Sequence, residues 1–157
     1  MDWLQWRSQP AWSYVDGSAW EIEGEVIGAS ISAAPNLRDF YTSWNTPGVF
    51  FGASHQLAQE KGYIQLLDAV SEPAHEYCHF EGRDTYDDGV YEGKFDLFTN
   101  CEGSGAAYFV ISAVPKSDRS SYLILVIFKV NDEADLVAID HIVQTFFVIG
   151  DLRKLTE

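Results

Sequence analysis

Apolar and polar positions along the chain follow two periods. From Trp20 the residues Trp20, Ile22 and Val26 alternate with Glu21, Glu23 and Glu25, the period-2 pattern of a half-buried strand, which reads as one strand to about Ser32. After Pro35-Asn36, Leu37, Phe40, Tyr41 and Trp44 recur at i, i+3, i+4 and i+7. That spacing predicts a short helix burying large aromatics and ended by Pro47-Gly48. Residues 49–53 form a compact apolar run between Gly48 and Ser54 and read as a strand. Ile64, Leu67 and Val70 then return to helical spacing as far as Pro73, with Gly62 separating two short helical turns.

The second half is richer in strand. Residues 77–86 and 90–100 flank the turn Asp87-Asp88-Gly89, and residues 106–114 and 121–130 flank a polar loop at 115–120, which predicts two successive hairpins. The run from Tyr122 to Phe128 is apolar on both faces and reads as a central strand covered on both sides. Asn131-Asp132-Glu133 supplies a cap and an acidic first turn to a helix carrying Leu136, Ile139, Ile142 and Phe146, and Phe147-Val148-Ile149 reads as a last short strand. No repeat, low-complexity tract or linker interrupts the chain. The order of elements predicts an α+β fold, a mainly antiparallel sheet with helices packed on it. Residues 1–157 are expected to form a single domain, with a Trp-rich segment 1–19 packing on it.

Cys78 and Cys101 are the only cysteines, and their midpoint falls beside the Asp87-Asp88-Gly89 turn. If the two flanking strands pair so that partner numbers sum to 179, Cys78 faces Cys101, Arg83 faces Asp96, Thr85 faces Lys94 and Tyr86 lies over Gly93. Each pair is chemically sensible: a cross-strand ion pair, an aromatic over a glycine, and two cysteines closing the open end of the hairpin. The expectation is a disulfide and therefore an oxidising compartment; two buried free thiols are the alternative.

Composition narrows the function classes. With 157 residues, 46% of them apolar, one core suffices without a staple, since such a chain buries roughly 68–70% of its unfolded surface. A net charge of −14 repels phosphate backbones and anionic lipid, so nucleic-acid binding is not expected. No apolar run approaches the ~18 residues of a membrane span, and membrane insertion is not expected either. The N-terminus lacks the basic and apolar regions of a signal peptide. Met1 is the only methionine, which suits a domain taken from a longer chain. The acids are uneven: residues 72–102 hold nine against Arg83 and Lys94, a local net of 2 − 9 = −7.

His75-Glu76-Tyr77-Cys78-His79 matches H-E-x-x-H, the pattern in which two histidines one helical turn apart bind Zn²⁺ and the glutamate acts as general base. That alternative is a small zinc hydrolase with His75 and His79 as ligands and Glu76 as base. Against it, on a strand the two histidines stand about 13 Å apart, and Thr85 occupies the place of a third histidine. Asp84, Asp87 and Asp88 could form a loose cation site, but Tyr86 and Phe95 stand where an EF-hand needs ligands, and acids solvating a turn account for them better. Glu21, Glu23 and Glu25 have the spacing of an ordinary solvent face. Ser104 lacks the full nucleophile-loop pattern, because Glu102 replaces its first glycine. His55 and His141 read as lone structural histidines. Trp3, Trp6, Trp12 and Trp20 could form an aromatic surface for carbohydrate or peptide, though packing on the domain's own core is the plainer expectation.

At Cys78-His79-Phe80-Glu81-Gly82-Arg83, Tyr86-Asp87-Asp88-Gly89, Tyr91-Glu92-Gly93-Lys94-Phe95-Asp96 and Asn100-Cys101 the chain resembles a domain that follows the trypsin-like catalytic domain in secreted bacterial serine proteases. Ala113-Val114-Pro115-Lys116, Asp118-Arg119-Ser120 and the stretch from Asp135-Leu136 to Phe146 are similar too. The resemblance implies an extracellular or envelope setting and a non-catalytic accessory role, with a protein or peptide partner and no cofactor. The protease G-D-S-G-G loop is absent, so no triad residue carries over and this segment is not expected to be an enzyme. The order of hairpins followed by a helix and short strand also looks like the PsbP-type α/β/α sandwich, a fold used for binding.

Overall fold

The computed structural model describes residues 13–135 and 137. Among these residues seven strands form one sheet: β1 (Ser13–Ile22), β2 (Glu25–Ala34), β3 (Gly48–Ser54), β4 (His79–Asp87), β5 (Tyr91–Cys101), β6 (Ala106–Pro115) and β7 (Leu123–Val130). The spatial order is β1-β2-β3-β7-β6-β5-β4, and every neighbouring pair is antiparallel. Four helices, α1 (Leu37–Thr42), α2 (His55–Glu60), α3 (Tyr63–Ser71) and α4 (Ala74–Tyr77), lie between β2 and β4. The α+β expectation holds. The meander β4 to β7 begins at the far edge and ends beside β3, which puts β7 in the middle, as its two apolar faces require.

Side chains alternate between two buried layers. On one face Leu57, Leu66, Leu67 and Ala74 of the helices pack with Ile27, Phe98, Tyr108, Val110, Leu123 and Leu125 of the sheet. On the other, Ile31, Val49, Phe51, Ile111, Ile124 and Val126 form a second buried cluster. The helix expected after Asn131 starts as predicted: Asp132 Oδ1 accepts from Asp135 N at 2.9 Å, and Asp135 Oδ2 accepts in return from Asn131 N at 3.0 Å and Asp132 N at 3.3 Å. The rest of that helix, the strand expected at 147–149, His141, and Trp3, Trp6 and Trp12 lie outside the described residues.

Three local expectations need correction. The single strand from Trp20 to Ser32 is a hairpin, because Glu23 (φ 52°) and Gly24 (φ 84°) make a two-residue turn with positive φ at both positions. Alternation across so short a turn looks like one continuous strand. Residues 13–19 of the Trp-rich segment accordingly belong to edge strand β1. The strand expected from Tyr77 begins instead at His79, since Pro73 starts one more helical turn. Tyr41 is not buried with Phe40: it is 57% exposed, and its hydroxyl bonds Ser32 Oγ at 2.5 Å.

The β4–β5 register follows the sum of 179 from Gly82 to Asp87, including Arg83 opposite Asp96, Thr85 opposite Lys94 and Tyr86 opposite Gly93. A bulge between Phe80 and Gly82 then shifts His79 and Phe80 by one residue. Cys78 and Cys101 nevertheless form a disulfide, with their Cα atoms 4.0 Å apart.

Candidate functional site

The sequence-marked residues near the hairpin do not converge. His75 lies in α4, its ring packed against Phe80 and Phe98 at centroid distances of 4.9 and 5.0 Å. His79 opens β4 with its side chain 70% exposed, and its Nε2 faces Glu81 Oε1 at 3.6 Å. The H-E-x-x-H pattern is thus split between a one-turn helix and a strand, and the histidines do not share the helical face that zinc chemistry needs. Glu76 is exposed on α4. Among the described residues no group of three or more His, Cys, Asp or Glu side chains is placed to hold a metal ion.

The acidic turn spends its oxygens on its own backbone, on the Tyr86 hydroxyl and on Lys116 Nζ, which reaches both oxygens of Asp87. Asp84 Oδ1 accepts from Thr85 N at 2.7 Å, and Asp87 Oδ1 accepts from Gly89 N at 2.9 Å. Asp88 Oδ1 accepts from Val90 N at 2.9 Å and Tyr91 N at 2.7 Å, while Asp88 Oδ2 takes the Tyr86 hydroxyl at 2.7 Å. The Gly89 N–H, then Lys116, hold the Asp87 carboxyl below its ordinary range. Burial pulls Asp88 upward, but the Tyr91 N–H, the Tyr86 hydroxyl and the Val90 N–H outweigh it, and this carboxyl too is held low. These are turn-building acids. Other flagged side chains are also structurally engaged: His55 Nδ1 lies 2.7 Å from Ser121 O, and the Ser104 hydroxyl donates to Cys101 O at 2.6 Å.

A different place gathers convergent groups. A cavity of about 470 Å³ opens between α1 with its following loop and the helix-covered face of the sheet, walled by Trp20, Phe40, Trp44, Phe50, Tyr108 and Lys129. Its construction begins with α1. Asn36 caps the helix, its Oδ1 accepting from Asp39 N at 3.1 Å, and Ser43 ends it. Phe40 drops onto β3 at Gly48, where a Cβ would come within 2.4 Å of the ring, so only glycine admits this approach. Trp44 stands edge-on to Tyr108 at 4.9 Å, and Trp20 edge-on to Phe50 at 5.6 Å. Asn131 Nδ2 donates to Asn45 O at 2.5 Å and ties the loop to the end of β7.

Lys129 projects from β7 into this wall and is only 8% exposed. Its Nζ donates to Phe40 O and, at 2.8 Å, to Ser43 O, capping the C-terminal end of α1. It also stands 4.9 Å from the Phe40 ring centroid and 5.4 Å from that of Trp44. No carboxylate pairs with it among the described residues. Burial lowers its pKa from 10.5 to about 8, and burial pushes the Tyr108 phenol up to about 12. Sequence reasoning missed this site. A signal was there, a lone lysine in a strand whose apolar run marks it as central, but nothing local says which elements close around it.

No protein-family model matches the chain, and no curated protein does. Among solved structures the chain is similar to the solution structure of cyanobacterial PsbP (CyanoP) from Synechocystis sp. PCC 6803. The identity is 12% and the TM-score 0.44, over 89% of this chain and 83% of that one. The likeness transfers no ligand, partner or activity.

Proposed function

We propose that this is a non-catalytic binding domain of an oxidising compartment, outside the cell or in its envelope, with the aromatic cavity beside α1 as its ligand site. The cavity carries the reading. It has the volume of small-molecule sites, mostly apolar walls and one convergent charged group whose titration is shifted, the combination expected of a binding pocket. The Cys78–Cys101 disulfide supports the compartment, because such bonds persist where thiols are not kept reduced. Among the described residues that line the cavity none pairs a nucleophile with a base, which favours binding over catalysis. The resemblance around Cys78 to Cys101 supports an accessory role beside a trypsin-like serine protease, with a protein or peptide partner.

Two measurements test this. A screen of small apolar and aromatic probes by ligand-observed NMR is expected to find binders whose signals respond to Val70→Trp, which fills the cavity wall. Binders indifferent to that change would remove the site. The coding sequence around this domain is expected to hold a trypsin-like catalytic domain, and its absence would remove the protease association.

A further inference from the structure

We infer that the cavity is built for a small amphipathic anion, an apolar or aromatic body ending in a carboxylate, with the acidic group seated against Lys129 Nζ. This rests on the cavity being the binding site and adds the chemistry of its occupant. The first observation is a missing counterion among the described residues. Charged side chains this deeply buried are normally paired, since an isolated interior charge is strongly disfavoured. Asp96, the other charged residue in the described interior, follows that rule with Arg83. Lys129 has two backbone carbonyls and two ring faces instead. An ammonium has three N–H donors, and two are spent on Phe40 O and Ser43 O, so one remains for an acceptor.

The second observation is the wall. Trp20, Phe50, Leu125 and Ile127 offer contact area and few polar groups, so the body of the ligand must be apolar. With −14 of net charge the chain repels small anions, and a bare inorganic anion gains nothing from the aromatic surface. An amphipathic carboxylate satisfies both: its body is buried against the rings, and its charge completes the shell of a desolvated cation.

The pH dependence follows from the groups around the ammonium. Tyr108 faces it from β6, with a phenol pushed up to about 12 by burial, and it stays neutral. From α1 comes Tyr41 and from β1 the exposed carboxylate Glu21, the one acid among the described residues of the wall. From β3 come Gly48 and Phe50, and from α3 Val70, none of which carries charge. Lys129 itself loses its proton near pH 8, so anion binding should be strong below that pH and fade above it.

Isothermal titration with naphthylacetate, naphthylacetamide and naphthylmethylamine tests the proposal, because the three share one body and differ in charge. At pH 7 the acid is expected to bind about tenfold or more tighter than the amide, the fold-change of a charge-assisted hydrogen bond, and the amine weakest. The preference should collapse by about pH 10, beyond the lysine's titration in the folded protein. Lys129→Met should abolish the preference and leave amide binding in place, whereas Val70→Trp should weaken both. Equal binding of acid and amide, or an acid preference that persists at high pH, overturns the anion assignment and leaves the cavity as a site. Failure of all three probes overturns the cavity reading itself. If Lys129→Met does not fold, the pH series on the unaltered protein decides.

Discussion

Two buried charges on the same face of one sheet are treated in opposite ways. Asp96 on β5 is fully buried and fully answered: Arg83 donates from Nε to Oδ1 at 2.6 Å and from Nη2 to Oδ2 at 2.8 Å, and Ser71 Oγ donates to Oδ2 at 2.6 Å. Asp68 takes a further nitrogen of Arg83 at 2.7 Å, so one network joins α3 to β4 and β5. Lys129 on β7 is almost as deep, yet it holds a helix end through neutral carbonyls and faces a cavity. The difference separates fastening from readiness. A paired charge locks two elements together, while a charge without a counterion keeps an electrostatic demand that a ligand can meet.

The largest expected effect is at the fastening. Asp96→Ala leaves Ser71 without its acceptor and Arg83, itself partly exposed, with Asp68 alone, and urea unfolding should show a loss of about 3–4 kcal/mol, the lower part of the range for breaking a buried ion pair. A loss below about 1 kcal/mol would mean that Asp96 and Lys129 are not different in kind. Next comes the staple at the same end of the sheet. Replacing Cys78 and Cys101 by Ala should cost about 3 kcal/mol for a loop of this length in the chain-entropy model, read from the same unfolding curves. An unchanged midpoint would mean that the hairpin is held by the ion-pair network alone.

Lys129 sharpens the comparison through pH. In the unfolded chain it keeps its proton to about 10.5, and in the folded protein it releases it near 8. Between those values the unfolded state binds more protons, so stability must rise with pH across that window. Relative to Lys129→Met, the unaltered protein should therefore gain stability between pH 8 and pH 10.5 and show no such gain below pH 7. A flat difference would show that the ammonium is not desolvated. The smallest effect belongs to the exposed turn: Asp88→Ala should cost about 1 kcal/mol at neutral pH through its lost hydrogen bonds. Because the Asp88 carboxyl is held low, that difference should disappear as pH falls through its titration in the folded state. A difference that survives strong acid would point to shape rather than charge.

Legibility differed along the same line. Arg83 opposite Asp96 was readable, because hairpin partners lie at fixed offsets from a visible turn and chemical complementarity checks the register. The bulge at Phe80 and Gly82 was not, since an extra residue changes spacing without changing the apolar pattern. The H-E-x-x-H match failed for a related reason: spacing has chemical meaning only on a known element, and here the element changes inside the motif. The cavity was invisible because its walls come from β1, α1 and the loop after it, β3, α3, β6 and β7, and no short window contains them.

By itself the sequence determined the strands β5, β6 and β7, the central place of β7, the two hairpins and the Cys78–Cys101 pairing. All of these rest on local periodicity or on symmetry about a turn. Only the tertiary structure decided that Lys129 meets Phe40 and Ser43, residues 89 and 86 positions away. It also decided that a cavity remains where they meet. Chain order and polarity encode which face of an element is apolar; which distant element covers it, and whether the fit leaves room, emerges only when the faces are packed.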